Sequence, residues 1–308
     1  MTWHGTRRGA LPILFACALL VIGACGDAGS GAPIPGPVPA PAPVPEPSPE
    51  PPPAPSPEPP PAPSPEPPPE PPPPEPPPPD AGLVPGAVIV AVGDSITVGE
   101  NANIAWPDVL AERLADAGRG DVSVHNEGYP GLSSGELVND DPGAGAKRSA
   151  VDHYPTIHVA FVLIGHNDTR TALASDHAEP REYASNVAEI LTWLADRPNA
   201  DGRRTRVVAL VPPPAREPVI RNGWSFPADF NAQMQEPGGY HEALRAEAAA
   251  AEVPIVETMA RFDGGPSRYA PYRRGSPERI TDDTIHPNDD GQRALAELAF
   301  GALALPDR

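Results

Sequence analysis

A parallel α/β fold is predicted for the chain beyond residue 82, and three observations predict it. Short apolar runs recur at 87–92, 122–125, 158–164, 206–211 and 254–257. The stretches between them carry helical spacing, the pattern of parallel strands joined by crossover helices. Residues suited to chemistry come just after these runs, where an open parallel sheet collects its loops.

The 308 residues fall into three unlike parts, 1–24, 25–82 and 83–308. Residues 1–24 place Arg7 and Arg8 before an apolar stretch at 11–24, the pattern of an export signal, and one shorter than the about 20 apolar residues that span a bilayer. Ile22-Gly23-Ala24-Cys25 resembles the lipobox of bacterial lipoproteins. The resemblance implies cleavage before Cys25, a diacylglycerol on its thiol and an extracytoplasmic, membrane-anchored chain. An ordinary secretory signal is the alternative. The two cysteines of the chain are Cys17 and Cys25, so the domain at 83–308 holds no disulfide, thiol nucleophile or thiolate metal site.

Residues 33–80 are mostly proline, with an eight-residue unit starting at Ser48, Ser56 and Ser64. Proline fixes φ and lacks an amide donor, so a polyproline II spacer of about 3.1 Å per residue, on the order of 150 Å in all, is expected. Of the chain's 41 acidic and 22 basic residues, eight and two precede residue 81, leaving 33 and 20 and a net charge of −13 beyond it. That balance disfavours nucleic acid as a partner.

Within the domain the run at 87–92 reads as a first strand, followed by Gly93-Asp94-Ser95. Trp106, Val109, Leu110 and Leu114 repeat at helix spacing, with Pro107 suited to a first turn. A second strand at 122–125 leads into Asn126-x-Gly128-x-x-Gly131, and a third at 158–164 into Gly165-x-Asn167-Asp168. Tyr183, Val187, Ile190, Leu191 and Leu194 mark another helix. Strands at 206–211 and 254–257 precede Asp283-x-x-His286, and a last helix is expected over about 289–303, with Leu295, Leu298 and Ala302 turned inward.

A serine hydroxyl is a weak nucleophile until a base takes its proton, so Ser95 needs an imidazole within reach. His286 is the candidate, and Asp283, three residues earlier, is placed to orient it and stabilise its cation. Developing negative charge on an attacked carbonyl needs fixed donors; the amides of Ser95 and Gly128 and the side chain of Asn167 are on offer.

Together Gly93-Asp94-Ser95, Gly128, Asn167 and Asp283-x-x-His286 resemble the four blocks of the SGNH hydrolases, also called the GDSL esterase/lipase family. The resemblance spans nearly the whole domain. It implies a flavodoxin-like three-layer α/β/α sandwich with a five-stranded parallel sheet. It also implies a cofactor-free serine hydrolase of esters or thioesters. Ser95 is then the nucleophile, Asp283 and His286 complete the triad, and Ser95, Gly128 and Asn167 form the oxyanion hole. His166 before Asn167 is similar to the rhamnogalacturonan acetylesterase branch, whereas Ser95-Ile96-Thr97 is the commoner form of the first block.

Short acyl groups on carbohydrate are thus the favoured substrate, and a monomer is expected. A lysophospholipase or thioesterase acting on long chains is one alternative; a stalk-displayed binding module with an inactive hydrolase fold is another. Asp282, Asp283, His286, Asp289 and Asp290 are not expected to hold a metal, since carboxylates also suit a helix N-terminus. His125, His153, His158, His177 and His241 have no evident partners by spacing. Two long connections carry Trp224, Phe226 and Phe230, and Arg268, Tyr269, Tyr272, Arg273 and Arg274. They form either an acyl or sugar subsite or loops anchored in the core.

Overall fold

The computed structural model describes residues 83–170, 178–219, 226–269 and 271–303. The expected signal at 1–24, the acylated Cys25 and the proline-rich segment at 25–82 lie outside the described residues, as do His177 and Trp224.

The elements run β1 (Val88–Gly93), α1 (Ser95–Val98), α2 (Trp106–Asp116), β2 (Ser123–Gly128), α3 (Ser134–Val138), α4 (Lys147–Asp152), β3 (Val159–Leu163), α5 (Pro180–Asp196), β4 (Arg206–Leu210), α6 (Phe230–Gln235), α7 (Tyr240–Ala250), β5 (Ile255–Val256), α8 (Met259–Phe262), β6 (Asp263–Pro266), β7 (Arg273–Gly275) and α9 (Asp289–Leu303). The first five strands form one parallel sheet in the order β2-β1-β3-β4-β5. The three-layer fold follows from how side chains alternate across it. Val90, Val92, Ala160, Val162, Val207 and Ala209 point to one face, under α3 to α7. Ile89, Ala91, Val159, Phe161, Leu163, Val208 and Leu210 point to the other, under α2 and α9. Burial on both faces is why the inner strands read as continuous apolar runs rather than as alternating ones.

Helices dock through the stripes their spacing predicts. On α2, Trp106, Val109, Leu110 and Leu114 are buried, and the Trp106 ring meets Phe161 of β3 edge-on at 5.8 Å and 87°. Such a pair adds about 0.5–1.5 kcal/mol beyond the area it buries. Gln292 of α9 is fully buried; its Oε1 accepts from the Trp106 amide at 2.9 Å and its Nε2 donates to the Ile96 carbonyl at 3.1 Å. That one side chain satisfies the otherwise unspent Trp106 amide at the start of α2 and ties α9 to α1 through a carbonyl that also accepts from Gly99. At the far end of α9, Arg206 donates to the carbonyls of Ala302 (2.8 Å) and Leu303 (3.2 Å).

The stretch at 262–282, expected as a loop, contains the antiparallel hairpin of β6 and β7. Its strands hold three glycines and few β-branched residues, so neither alternation nor propensity announces them.

Sheet order reverses between β1 and β3: the chain leaves β1 toward β2 on one side and returns to β3 on the other. In such sheets the crevice at the carboxyl ends of the two strands at the reversal is where ligands bind. Ser95 follows β1 and Asn167 follows β3.

Candidate active site

Asp94 takes an extended conformation at the end of β1 and its carboxylate accepts from the Ile96 amide at 2.9 Å, capping α1. Ser95 is thereby the first residue of the helix. Its own N–H has no acceptor among the described residues, as the first turn of a helix leaves its donors unspent.

Ser95 Oγ lies 2.8 Å from His286 Nε2, and His286 Nδ1 bonds to Asp283 Oδ2. The imidazole is fully buried and Ser95 nearly so. Between Asp283 and His286 the chain turns through Thr284 at φ +74, a strained conformation for a β-branched residue. Hydrogen bonds hold the turn closed: Asp283 Oδ1 accepts from Thr281 Oγ1 (2.6 Å) and from the amides of Ile285 and His286 (both 3.0 Å). The Arg216 amide donates to Thr284 O at 2.8 Å. Burial would raise the Asp283 carboxyl, but the bonds from His286 and Thr281 outweigh it and hold the group well below the usual carboxylate range. A permanently ionised Asp283 accepts a hydrogen bond from Nδ1–H and leaves Nε2 free to take a proton from Ser95.

Asn101 was not singled out by the sequence. It too sits at positive φ (+63), and its Nδ2 donates to Asp283 Oδ2 at 2.7 Å. Asn tolerates the left-handed region better than most residues, and an Asn two places after Gly99 was the only available hint.

The oxyanion side differs from expectation at one position. The Gly128 amide donates to Asn126 Oδ1 at 3.0 Å, so it is not aimed at the site. A Cβ at Gly128 would stand 2.6 Å from the Val98 amide nitrogen; this glycine lets β2 close on α1. The second glycine of the same block, Gly131, has φ +83, and its amide has no acceptor among the described residues. The unspent amide in this block is therefore that of Gly131, which spacing alone does not distinguish from Gly128.

Asn167 Nδ2 donates to Leu132 O at 3.0 Å and lies 3.5 Å from Asp94 Oδ2. The longer contact is at the limit of a hydrogen bond, so one amide hydrogen remains to be recruited by a stronger acceptor. Arg170, buried to 2% exposure, fixes which way the amide faces. Its Nη1 lies 3.4 Å from Asn167 Oδ1 and 3.3 Å from Gly131 O, bridging the loops after β2 and β3.

Asp168, fully buried, joins the same two loops by accepting from the amide and hydroxyl of Ser134, the first residue of α3. Burial, reinforced by the charge of Asp94, pushes its carboxyl up to about 7 against the lowering effect of the Ser134 bonds. The folded protein then keeps a proton that the unfolded chain releases above about pH 4. Because the folded state binds more protons in that window, the contribution of this group to stability is fullest below pH about 4 and declines as pH rises toward 7. Asp168→Asn is expected to remove that decline, so its melting temperature should gain on the wild type progressively between pH 4 and 7. A gap between the two that does not vary with pH would show that Asp168 is not the group responsible.

The remaining residues take structural places. His166 is buried, with Nε2 bonded to Pro213 O at 2.7 Å and its ring edge-on to Phe230 at 5.1 Å. Phe230 is fully buried and Phe226 packs against it, so this part of the 212–238 connection is anchored in the core. Glu217 ties the two long connections together by accepting from Ser267, from the Arg268 amide (3.0 Å) and from Asn231 (3.2 Å). Asp282 pairs with Arg216, Asp289 accepts from Asn103, and Asp290 pairs with Arg293.

The sequence profile of the GDSL-like lipase/acylhydrolase family matches residues 91–294. A comparison with curated protein sequences returns no match. Solved structures share the fold. LAE5, an α/β hydrolase enzyme from the metagenome of Lake Arreo, Spain, superposes with a TM-score of 0.51 at 20% identity over 73% of this chain and 99% of its own. A GDSL-like lipase from Parabacteroides merdae gives 0.52 at 18% identity over 72% and 99%. The acetyl xylan esterase AlAXEase gives 0.50 at 18% identity over 70% and 98%.

Proposed function

Because the chain belongs to the GDSL-like lipase/acylhydrolase family, we propose that it is a carboxylic ester hydrolase working through an acyl-Ser95 intermediate on short acyl groups, acetyl above all, carried by carbohydrate. The hydrogen-bonded series Ser95, His286, Asp283 carries this conclusion. In the first half-reaction His286 Nε2 takes the Ser95 proton as Oγ attacks the ester carbonyl. The oxyanion is met by the amides of Ser95 and Gly131 and by Asn167, and the proton passes to the departing alkoxide. Water, deprotonated by the same Nε2, then releases the acid. General-base assistance supplies about 10²–10⁴-fold in rate.

Two observations favour a hydrophilic alcohol over a lipid. Ser95 is 3% exposed, which suits a small acyl group. Beside Asp283, Asn101 borders a shallow, open depression lined by Asn103, Asn288, Asp289, Asp290 and Arg293, all polar. The acetyl xylan esterase among the structural relatives acts on the same kind of bond, and at its distance shares only the fold. A lipid anchor at Cys25 and a proline-rich tether belong to the proposal on the strength of the sequence at 1–82. Palmitate incorporation that survives Cys25→Ala would remove the anchor.

The substrate class is tested by an acyl-length series of p-nitrophenyl esters on the full chain. Acetate is expected to be hydrolysed with kcat/KM well above palmitate. Preference for palmitate would replace the glycan assignment with a lysophospholipase or thioesterase.

A further inference from the structure

Glu100 stands beside the imidazole nitrogen that serves the nucleophile. Its amide donates to Ser95 O at 3.0 Å, turning the chain back over α1, and its Oε2 lies 3.5 Å from His286 Nε2. The side chain is 34% exposed while the imidazole is buried, so the carboxylate faces both the reacting nitrogen and the solvent from which substrate comes. Other carboxylates nearby have partners, Asp282 with Arg216 at 3.1 Å and Asp290 with Arg293 at 2.9 Å. Glu100 meets no lysine or arginine among the described residues; the one ionisable side chain it faces there is His286.

Nε2 must deliver its proton to the alcohol oxygen of the ester, so that oxygen comes within hydrogen-bond reach of it. The atoms next to that oxygen then lie within a few ångströms of Glu100. Resting on the esterase assignment above, we propose that Glu100 determines specificity for the alcohol. Its carboxylate, unpaired on the leaving-group side, selects esters whose alcohol carries an ammonium over neutral ones of the same shape, and both over anionic ones. An amino sugar with a free amine, O-acylated nearby, is the glycan that fits. A phosphate-bearing lipid alcohol is repelled.

A charge held about 6 Å from the carboxylate, at an effective dielectric of about 40, between protein surface and water, changes kcat/KM roughly tenfold. Three acetyl esters differing in the charge of the alcohol read this out on the full chain: acetylcholine, its neutral isostere 3,3-dimethylbutyl acetate, and 2-sulfoethyl acetate. In the wild type, kcat/KM should fall about tenfold at each step from cation to neutral to anion. In Glu100→Gln the ratios should collapse toward one, whatever change the three share. Asp282→Asn, which removes a carboxylate already paired with Arg216, should leave the ratios as they are.

Wild-type ratios near one would overturn the proposal. So would ratios that persist in Glu100→Gln while all three rates fall together, since Glu100 would then act through His286, or ratios that collapse equally in Asp282→Asn. These failures are separable from failure of the esterase assignment. A protein that labels at Ser95 with a fluorophosphonate but ignores alcohol charge retires only the role of Glu100; one that neither labels nor hydrolyses any of the three esters retires both.

Discussion

Ser95→Ala is expected to lower kcat by about 10⁴-fold or more and to abolish labelling by a fluorophosphonate. Removing Oγ deletes the nucleophile and leaves only what the oxyanion donors and binding supply. The hydroxyl bonds to His286 Nε2, so alanine leaves that buried nitrogen without its donor, at a stability cost of about 1–3 kcal/mol. His286→Ala should reach a similar kcat, because nucleophile and base act as one unit. The double variant should therefore be little worse than either single one. Active-site titration and single-turnover kinetics with p-nitrophenyl acetate measure this. Independent, multiplying losses would mean that Ser95 and His286 do not share a step.

Asp283 sets a boundary on that comparison. Loss of the carboxylate should cost about 10⁴-fold through the wrong histidine tautomer. The same group also holds Thr281 and the amides of Ile285 and His286 around a Thr284 at positive φ. Asp283→Ala thus releases the turn as well as the imidazole.

How much of this was legible in the sequence depended on whether a residue acts along the chain or across it. The inner strands and the α2, α5 and α9 stripes declare themselves because burial on a face imposes a period that the sequence must carry. Ser95, His286 and Asp283 were legible because each ends or follows an element and the chemistry demands those types. Gly131 and Gly128 read alike in the sequence, since two glycines three apart are indistinguishable until φ and the Asn126 bond separate them. Arg170, Gln292 and Glu100 were not seen. Each is an ordinary polar residue in its own segment, and its meaning comes from a partner brought close by folding: Asn167 Oδ1, the Trp106 amide and His286 Nε2. The β6–β7 hairpin escaped because its glycines carry neither period nor propensity.

The second large effect is expected at the oxyanion donors. Asn167→Ala should lower kcat by about 10²–10³-fold, with KM little changed, because the bond it removes strengthens only as charge develops. That figure depends on the amide facing the right way. An Asn side chain has two near-isosteric orientations, and the one with Nδ2 toward the site is favoured by what surrounds Oδ1. Here that is Arg170, buried and reaching both Oδ1 and Gly131 O. Lysine carries the same charge on a flexible stem without the rigid planar guanidinium, so its ammonium is not held in the place from which Nη1 meets both acceptors. Arg170→Lys should therefore lower kcat by about tenfold, short of the full loss of a donor, again with KM nearly constant. Adding it to Asn167→Ala should cost much less than tenfold more, because the amide it orients is already gone. Full additivity in that double-mutant cycle would show that Arg170 supports the fold of the two loops and not the aim of Asn167.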